Sequence, residues 1–225
     1  MGRLYLFADE TGNLDLSGHQ GSTRWFGVGT MLLDDASADR LRAAMHGLRL
    51  SMAWQRFGLD SEVHASEDSW PVRSAVLSVL ALHAGRVDVS LLDKREATSE
   101  WADDVALYRT VWREHLARVI PSTCRPVDEL LVVAARIGTK RRRRLFREAV
   151  EQSLAACASH LAWSEVAVWT SASDPCLWAA DYCVWAVGRK WETGDGGPYG
   201  VIAHHVASVR PVGKSGTGKS DTPPD

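Results

Sequence analysis

"RLYLFADETGN", residues 3–13, begins as an apolar run and ends on two adjacent carboxylates, Asp9 and Glu10. Leu4–Ala8 reads as a buried strand close to the N-terminus. In an extended chain Tyr5, Phe7 and Asp9 lie on one side and Leu4, Leu6, Ala8 and Glu10 on the other. Only one of the two acids can therefore share a pocket on a given face of a sheet. Taken alone, the pair fits a solvated strand end, because Thr11-Gly12-Asn13 is good turn chemistry. The rest of the chain supplies the competing explanation.

Outward from this strand, period-two and period-3.6 patterns alternate. A second strand lies within residues 22–34, "STRWFGVGTMLLD", after a loop loosened by Gly12, Asn13, Gly18 and Gly21. Helical spacing follows over Ala36–Arg56, with Leu41, Ala44, Met45, Leu48 and Met52 on one face. A second helix runs from Trp70, with Pro71 near its start and Gly85 at its end. Residues 86–94 alternate as a strand. A helix at Ser99–Val119, a strand at 129–136, a basic helix from Lys140 to His160, a strand at Glu165–Thr170 and a helix from Asp174 to Glu192 complete the pattern. The expected class is α/β: one mixed sheet, its first pair antiparallel, its later helix-separated strands parallel. Residues 1–210 read as a single domain and 211–225 as a flexible polar tail.

The chain has 225 residues, room for one well-filled core but not two. Lys and Arg number 26 against 28 Asp and Glu, so attraction to nucleic acid has to come from a local basic patch. Cys176 and Cys183 stand roughly 10 Å apart along one helix, too far for a disulfide, which fits a cytoplasmic location. No apolar run approaches the ~20 residues needed to span a bilayer, so no membrane partner is expected. Homo-oligomers are compatible with the sequence. Of the ten tryptophans, most suit a core, with Trp101 and Trp191 as candidates for an exposed surface.

The tail contains "GKSGTGKS", residues 213–220, which matches the phosphate-loop pattern letter for letter. Such a loop works only between a strand and a helix. Here "DTPPD" follows and leaves no room for a helix, so no bound nucleotide is expected there.

Three further segments carry chemistry. In "DPCLWAADYCVWAVGRKWE", residues 174–192, Asp174 is explained as the helix cap. Asp181 lies among Leu177, Trp178, Ala180, Val184 and Trp185. An ionised carboxylate there must be paired, hydrogen-bonded or bound to a metal, since bare desolvation costs several kcal/mol or more. A salt bridge and a metal are equally good explanations. "SEVHASED", residues 61–68, gathers Glu62, His64, Glu67 and Asp68 before a helix, as either capping groups or oxygen ligands. Lys140, Arg141, Arg142, Arg143 and Arg144 crowd a helix N-terminus, where the macrodipole disfavours cations. Contacts with backbone phosphates would account for them better than a merely solvated face. A hard cation such as Mg²⁺ or Mn²⁺ takes one or two carboxylates plus waters and substrate phosphates. Two such ions suit phosphodiester hydrolysis.

In this order the segments resemble an uncharacterised family, domain of unknown function number thirty-eight hundred, grouped with RNase H-like nucleases. Asp9-Glu10-Thr11-Gly12 is similar to its Asp-Glu-Ser-Gly turn. Val63-His64-Ala65-Ser66-Glu67-Asp68, with Arg73 five residues on, is similar to its Phe-His-Ala-Thr-Glu-Asp segment. "LWAADYCVWAVGRKWE" resembles its last-helix motif, the most specific part of a likeness covering residues 3–205. The resemblance implies an RNase H-like mixed sheet flanked by helices with acids over its middle. It implies a metal-dependent nuclease with Asp9, Glu67 and Asp181 as metal ligands and catalytic groups beside His64. Glu10, Glu62, Asp68, Lys94 and Asp174 are secondary candidates. The chain departs from the family where Ala135 precedes Arg136 in place of an Asp, and at Ala172 and Trp178 in place of Lys and Gln. A methyl group cannot ligate a cation. A relative that binds nucleic acid or protein without cutting is the competing expectation.

Overall fold

A computed structural model describes residues 2–56, 63–96, 103–138 and 140–213. Among these residues a six-stranded mixed sheet is flanked on both faces by helices. The strands are β1 (Arg3–Thr11), β2 (Trp25–Asp34), β3 (Arg86–Asp93), β4 (Glu129–Ala135), β5 (Trp163–Trp169) and β6 (Val206–Pro211). The helices are α1 (Asp35–Trp54), α2 (Trp70–His83), α3 (Asp104–Thr123), α4 (Lys140–Cys157), α5 (Pro175–Thr193) and the short α6 (Gly197–Ile202). The sheet order is β5-β4-β1-β2-β3-β6.

β1 is antiparallel to β2 and parallel to β4, as the spacing predicts. One expectation fails: β3 follows two helices, yet it pairs with β2 in the antiparallel sense. The helices α1 and α2 form an excursion from the top of β2 that returns to its side, instead of a crossover. β6, which no sequence pattern announces, pairs parallel with β3. It continues through Pro211, and Val212 is buried, so the folded body passes the expected boundary at residue 210. Residues 214–225, including most of the "GKSGTGKS" stretch, lie outside the described residues.

Alternation along the central strands sorts the core into two layers. Phe7, Met31, Leu33, Val89, Val133 and Ala135 pack with α1, α2 and α5. Leu6, Ala8, Val28, Leu130, Val132 and Ala134 pack with α3 and α4. Trp191, expected on a surface, is buried in the first layer, and Trp101 lies outside the described residues. The four cysteines are free thiols. No described helix is long and apolar enough to cross a membrane.

Small residues let α5 lie close against the sheet. A Cβ at Gly29 would collide with Val184, and one at Gly188 with Thr11. Asp181, Val184 and Gly188 recur at helical spacing, so the stripe that touches the sheet also carries the acid. Asp181 is thereby delivered over the middle strands.

Candidate active site

β1 pairs with β4 only as far as Ala8 and Ala134, whereas it stays paired with β2 through Thr11. Asp9 and Glu10 thus belong to the strand, beyond the end of its ladder with β4. The chain order reverses at this point, with β2 on one side of β1 and β4 on the other. In open α/β sheets the crevice beyond the carboxyl ends of such strands is where ligands bind.

Although neighbours on a strand alternate, the carboxyls of Asp9 and Glu10 stay close enough to interact directly. Glu10 faces α3, where the Tyr108 hydroxyl donates to its Oε1 at 2.7 Å. Burial pushes Glu10 up to about 7, against the pull of the Tyr108 hydrogen bond. The Trp112 indole is fully buried beside it, and its N–H has no partner of good hydrogen-bond geometry. Asp9 accepts the Glu10 backbone N–H on Oδ1 at 2.7 Å. Burial raises the Asp9 carboxyl well above the usual range, and the nearby charges of Glu10 and Asp181 raise it further. The charge of the last-helix acid therefore reaches the first-strand acid. Among the described residues no guanidinium or ammonium forms an ion pair with either.

Asp181 also holds the segment before α2. Its Oδ2 accepts the Ala65 N–H at 2.8 Å and lies 3.2 Å from His64 Nδ1. The next residue, Tyr182, donates its hydroxyl to Asp68 Oδ2 at 2.5 Å, and that oxygen also accepts the His64 N–H. Arg73 closes the turn from the other side by donating to the Ala65 and Ser66 carbonyls. His64 and Asp68 are thus gathered with Asp181. Glu67 is exposed in the same turn, and Glu62 lies outside the described residues.

The remaining candidates have other roles. Asp174 caps α5 through the Cys176 N–H and forms a largely buried ion pair with Arg42 at 2.9 Å. Lys94 spends its ammonium on the Asn13 carbonyl, the Asn13 side chain and the Asp15 carbonyl, fastening the loop after β1 to β3. On the basic helix Arg142 pairs with Asp104, Arg143 donates to the Gly138 carbonyl, and Arg144 makes an exposed pair with Glu148 at 3.5 Å. These partners offset part of the charge expected to hold phosphates. The side chains of Lys140 and Arg141 lie outside the described residues. The sequence patterns do not single out Tyr108, Trp112 or Tyr182 as site residues. The spacing of Tyr108 and Trp112, one turn apart on α3, was the available signal.

Among the described residues no three His, Cys, Asp or Glu side chains converge as a metal-ligand set. Two carboxylates with like charges in a desolvated crevice nonetheless fit a hard cation that keeps its waters, as Mg²⁺ does. Asp181 Oδ1 and Asp9 Oδ2 are the oxygens not engaged by the bonds described above. In comparison with known proteins, no family model and no curated protein matches this chain.

Proposed function

We propose that the protein is a divalent-metal-dependent nuclease of RNase H-like fold, acting in the cytoplasm on phosphodiester bonds of DNA or RNA. The carrying observation is that Asp9 and Asp181, from opposite ends of the chain, share one crevice in which the Asp181 charge reaches Asp9, with no guanidinium or ammonium among the described residues paired to either and only His64 beside Asp181. Such an arrangement costs stability unless a cation offsets it. A sheet with its first strand in the middle and acids at that strand's end agrees with the fold implied by the family resemblance.

Asp9 and Asp181 would hold Mg²⁺ or Mn²⁺. When bound, such an ion supplies an activated water and a stabilised leaving oxygen. Glu10, near 7, can hold or release a proton at neutral pH beside this centre. His64 fixes the orientation of Asp181. Arg136, exposed just beyond β4, and the outer face of α4 offer cations to a nucleic-acid backbone.

A second reading is a relative that grips nucleic acid or protein without cutting. Ala135 favours it: its methyl occupies the strand end where the resembled family carries Asp, and no third ligand replaces it among the described residues.

Calorimetric titration with Mn²⁺ separates the two. Wild type should give saturable heat that Asp181→Asn loses, followed by metal-dependent cleavage of single-stranded, duplex or hybrid substrates. A wild type with no metal heat sinks the nuclease reading and leaves the binding module.

A further inference from the structure

We infer that Trp169 is a stacking platform for a nucleobase, so that the acid crevice takes an unpaired strand of nucleic acid. The inference rests on the nucleic-acid reading above and narrows it to a class of substrate. Beyond the Ala8–Ala134–Val168 row of the sheet, the next level holds Asp9 of β1, Ala135 of β4 and its register partner Trp169 of β5. Phe7, Val133 and Ala135 pack in the α5 layer, while Val166 and Val168 pack in the opposite one. Alternation therefore turns Trp169 to the same face as Asp9. Two strand spacings, about 10 Å, separate the two residues.

The surroundings of the ring suit a base better than a protein. α5 lies mainly over β1 and β2, so the α5-side face of β5, an edge strand, stays open. Trp163, Glu165 and Trp169 are exposed along it, and Trp169 leaves 36% of its surface in solvent. The position forfeits the burial that Trp112 and Trp178 receive in full. Trp163 lies six residues before Trp169, about 20 Å along the strand, and the carboxylate of Glu165 stands between them. The face therefore offers separate aromatic planes, whereas a protein interface is built around a contiguous apolar core. A nucleic-acid strand needs single planes, one for each base it sets down.

Geometry also decides between paired and unpaired strands. In a duplex both faces of each interior base are covered by its neighbours. An indole reaches a base plane only where the strand is unpaired or ends. With a phosphate held beside Asp9 and Asp181, a span of about 10 Å leads to the base of that nucleotide or the next. Arg136 follows Ala135 at the same strand end and is exposed. The backbone can thus cross the ends of β4 and β5 with its charge toward Arg136 and a base turned onto Trp169. Stacking accepts any base, so Trp169 would position the strand without reading its sequence.

The test is the fluorescence anisotropy of a labelled pyrimidine oligonucleotide, alone and annealed as a blunt duplex, on the full chain with Ca²⁺ in place of Mn²⁺. Wild type should bind the single strand more tightly than the duplex. Trp169→Ala should weaken single-strand binding about tenfold and leave duplex binding unchanged. Trp169→Phe, which keeps a ring, should restore most of the loss. Trp54→Ala removes an exposed tryptophan from the end of α1 and should bind as wild type does. A merely structural role for Trp169 would weaken both substrates together. The Mn²⁺ titration of wild type is read separately. Missing metal heat with strand binding that depends on Trp169 sinks the nuclease reading and keeps the platform. Metal heat with single-strand binding that Trp169→Ala leaves intact overturns the platform alone. A wild type that binds the two substrates equally, or neither, also overturns it and leaves the Trp169 face to a protein partner.

Discussion

Val184 of α5 rests directly on Gly29 of β2, where a glycine Cβ would collide with the valine Cγ2. Gly29 is the register partner of Asp9, and Asp181 lies one turn before Val184. The helix-to-sheet distance at this contact therefore sets how near the two acids approach.

Gly29→Ala should force α5 outward. Overpacking of this kind costs about 1–3 kcal/mol, readable by urea denaturation. The Mn²⁺ heat should weaken in parallel as Asp181 draws away from Asp9. Unchanged heat in a destabilised variant would show that the acids do not act together.

Ala135→Asp should add the missing ligand. Ala135 follows Ala134, the partner of Ala8, and packs on the same face as Phe7. A carboxylate there would join Asp9. More ligand charge should tighten Mn²⁺ binding about tenfold, while the metal-free protein loses stability through like-charge repulsion. Titration of wild type and variant side by side checks both, and equal affinity would place residue 135 away from the crevice.

Asp174 and Asp181 should respond in opposite ways. Asp174→Asn strips Arg42 of its buried partner and a cap, at a cost of about 3–5 kcal/mol, with the metal heat intact. Asp181→Asn keeps an oxygen for the Ala65 N–H, so it should fold almost normally and lose the heat. Thermal melts and Mn²⁺ titrations on the two variants suffice, and loss of heat in Asp174→Asn would move the site.

Glu10 makes stability depend on pH. Burial raises it to about 7 from 4.5. The folded chain keeps a proton that the unfolded chain has released. This stabilisation is complete below pH 4.5 and is lost as pH rises through 7, about 3 kcal/mol in all. His115 runs the other way. Burial lowers it to about 3 from 6.5, so its contribution is present above 6.5 and lost as pH falls toward 3. Glu10→Gln removes the first effect, together with the part of the Asp9 shift that Glu10 causes, and leaves that of His115. In metal-free urea titrations, wild type should lose about 3 kcal/mol relative to Glu10→Gln between pH 4.5 and 8. A constant difference would mean that Glu10 titrates in solvent.

The long elements were legible because apolar periodicity alone defines them, as at Leu41, Met45 and Met52 of α1. β1 proved longer than Leu4–Ala8 because Glu10 and Thr11 remain bonded to β2, although acids seldom read as strand. α6 and β6 are six residues each, too short for a period to emerge, and Pro211 disguises the strand. Asp181 stood out by its apolar neighbours. Its donor, the Ala65 N–H, could not be foreseen, because backbone groups carry no residue signature. The Tyr108–Glu10 bond likewise depends on where α3 crosses the sheet. Glu67 rested on family likeness, and the turn leaves it in solvent.

Asp9 and Glu10 are covalent neighbours whose carboxyls also interact directly, while Glu10 alone is bonded to Tyr108 in the α3 layer. Glu10 thus works as a relay between α3 and the acid beside it. Altering the hydrogen bond from Tyr108 would retune Asp9 through Glu10 with no movement of the main chain. Selection on the α3 layer thus has a handle on chemistry performed in the α5 layer.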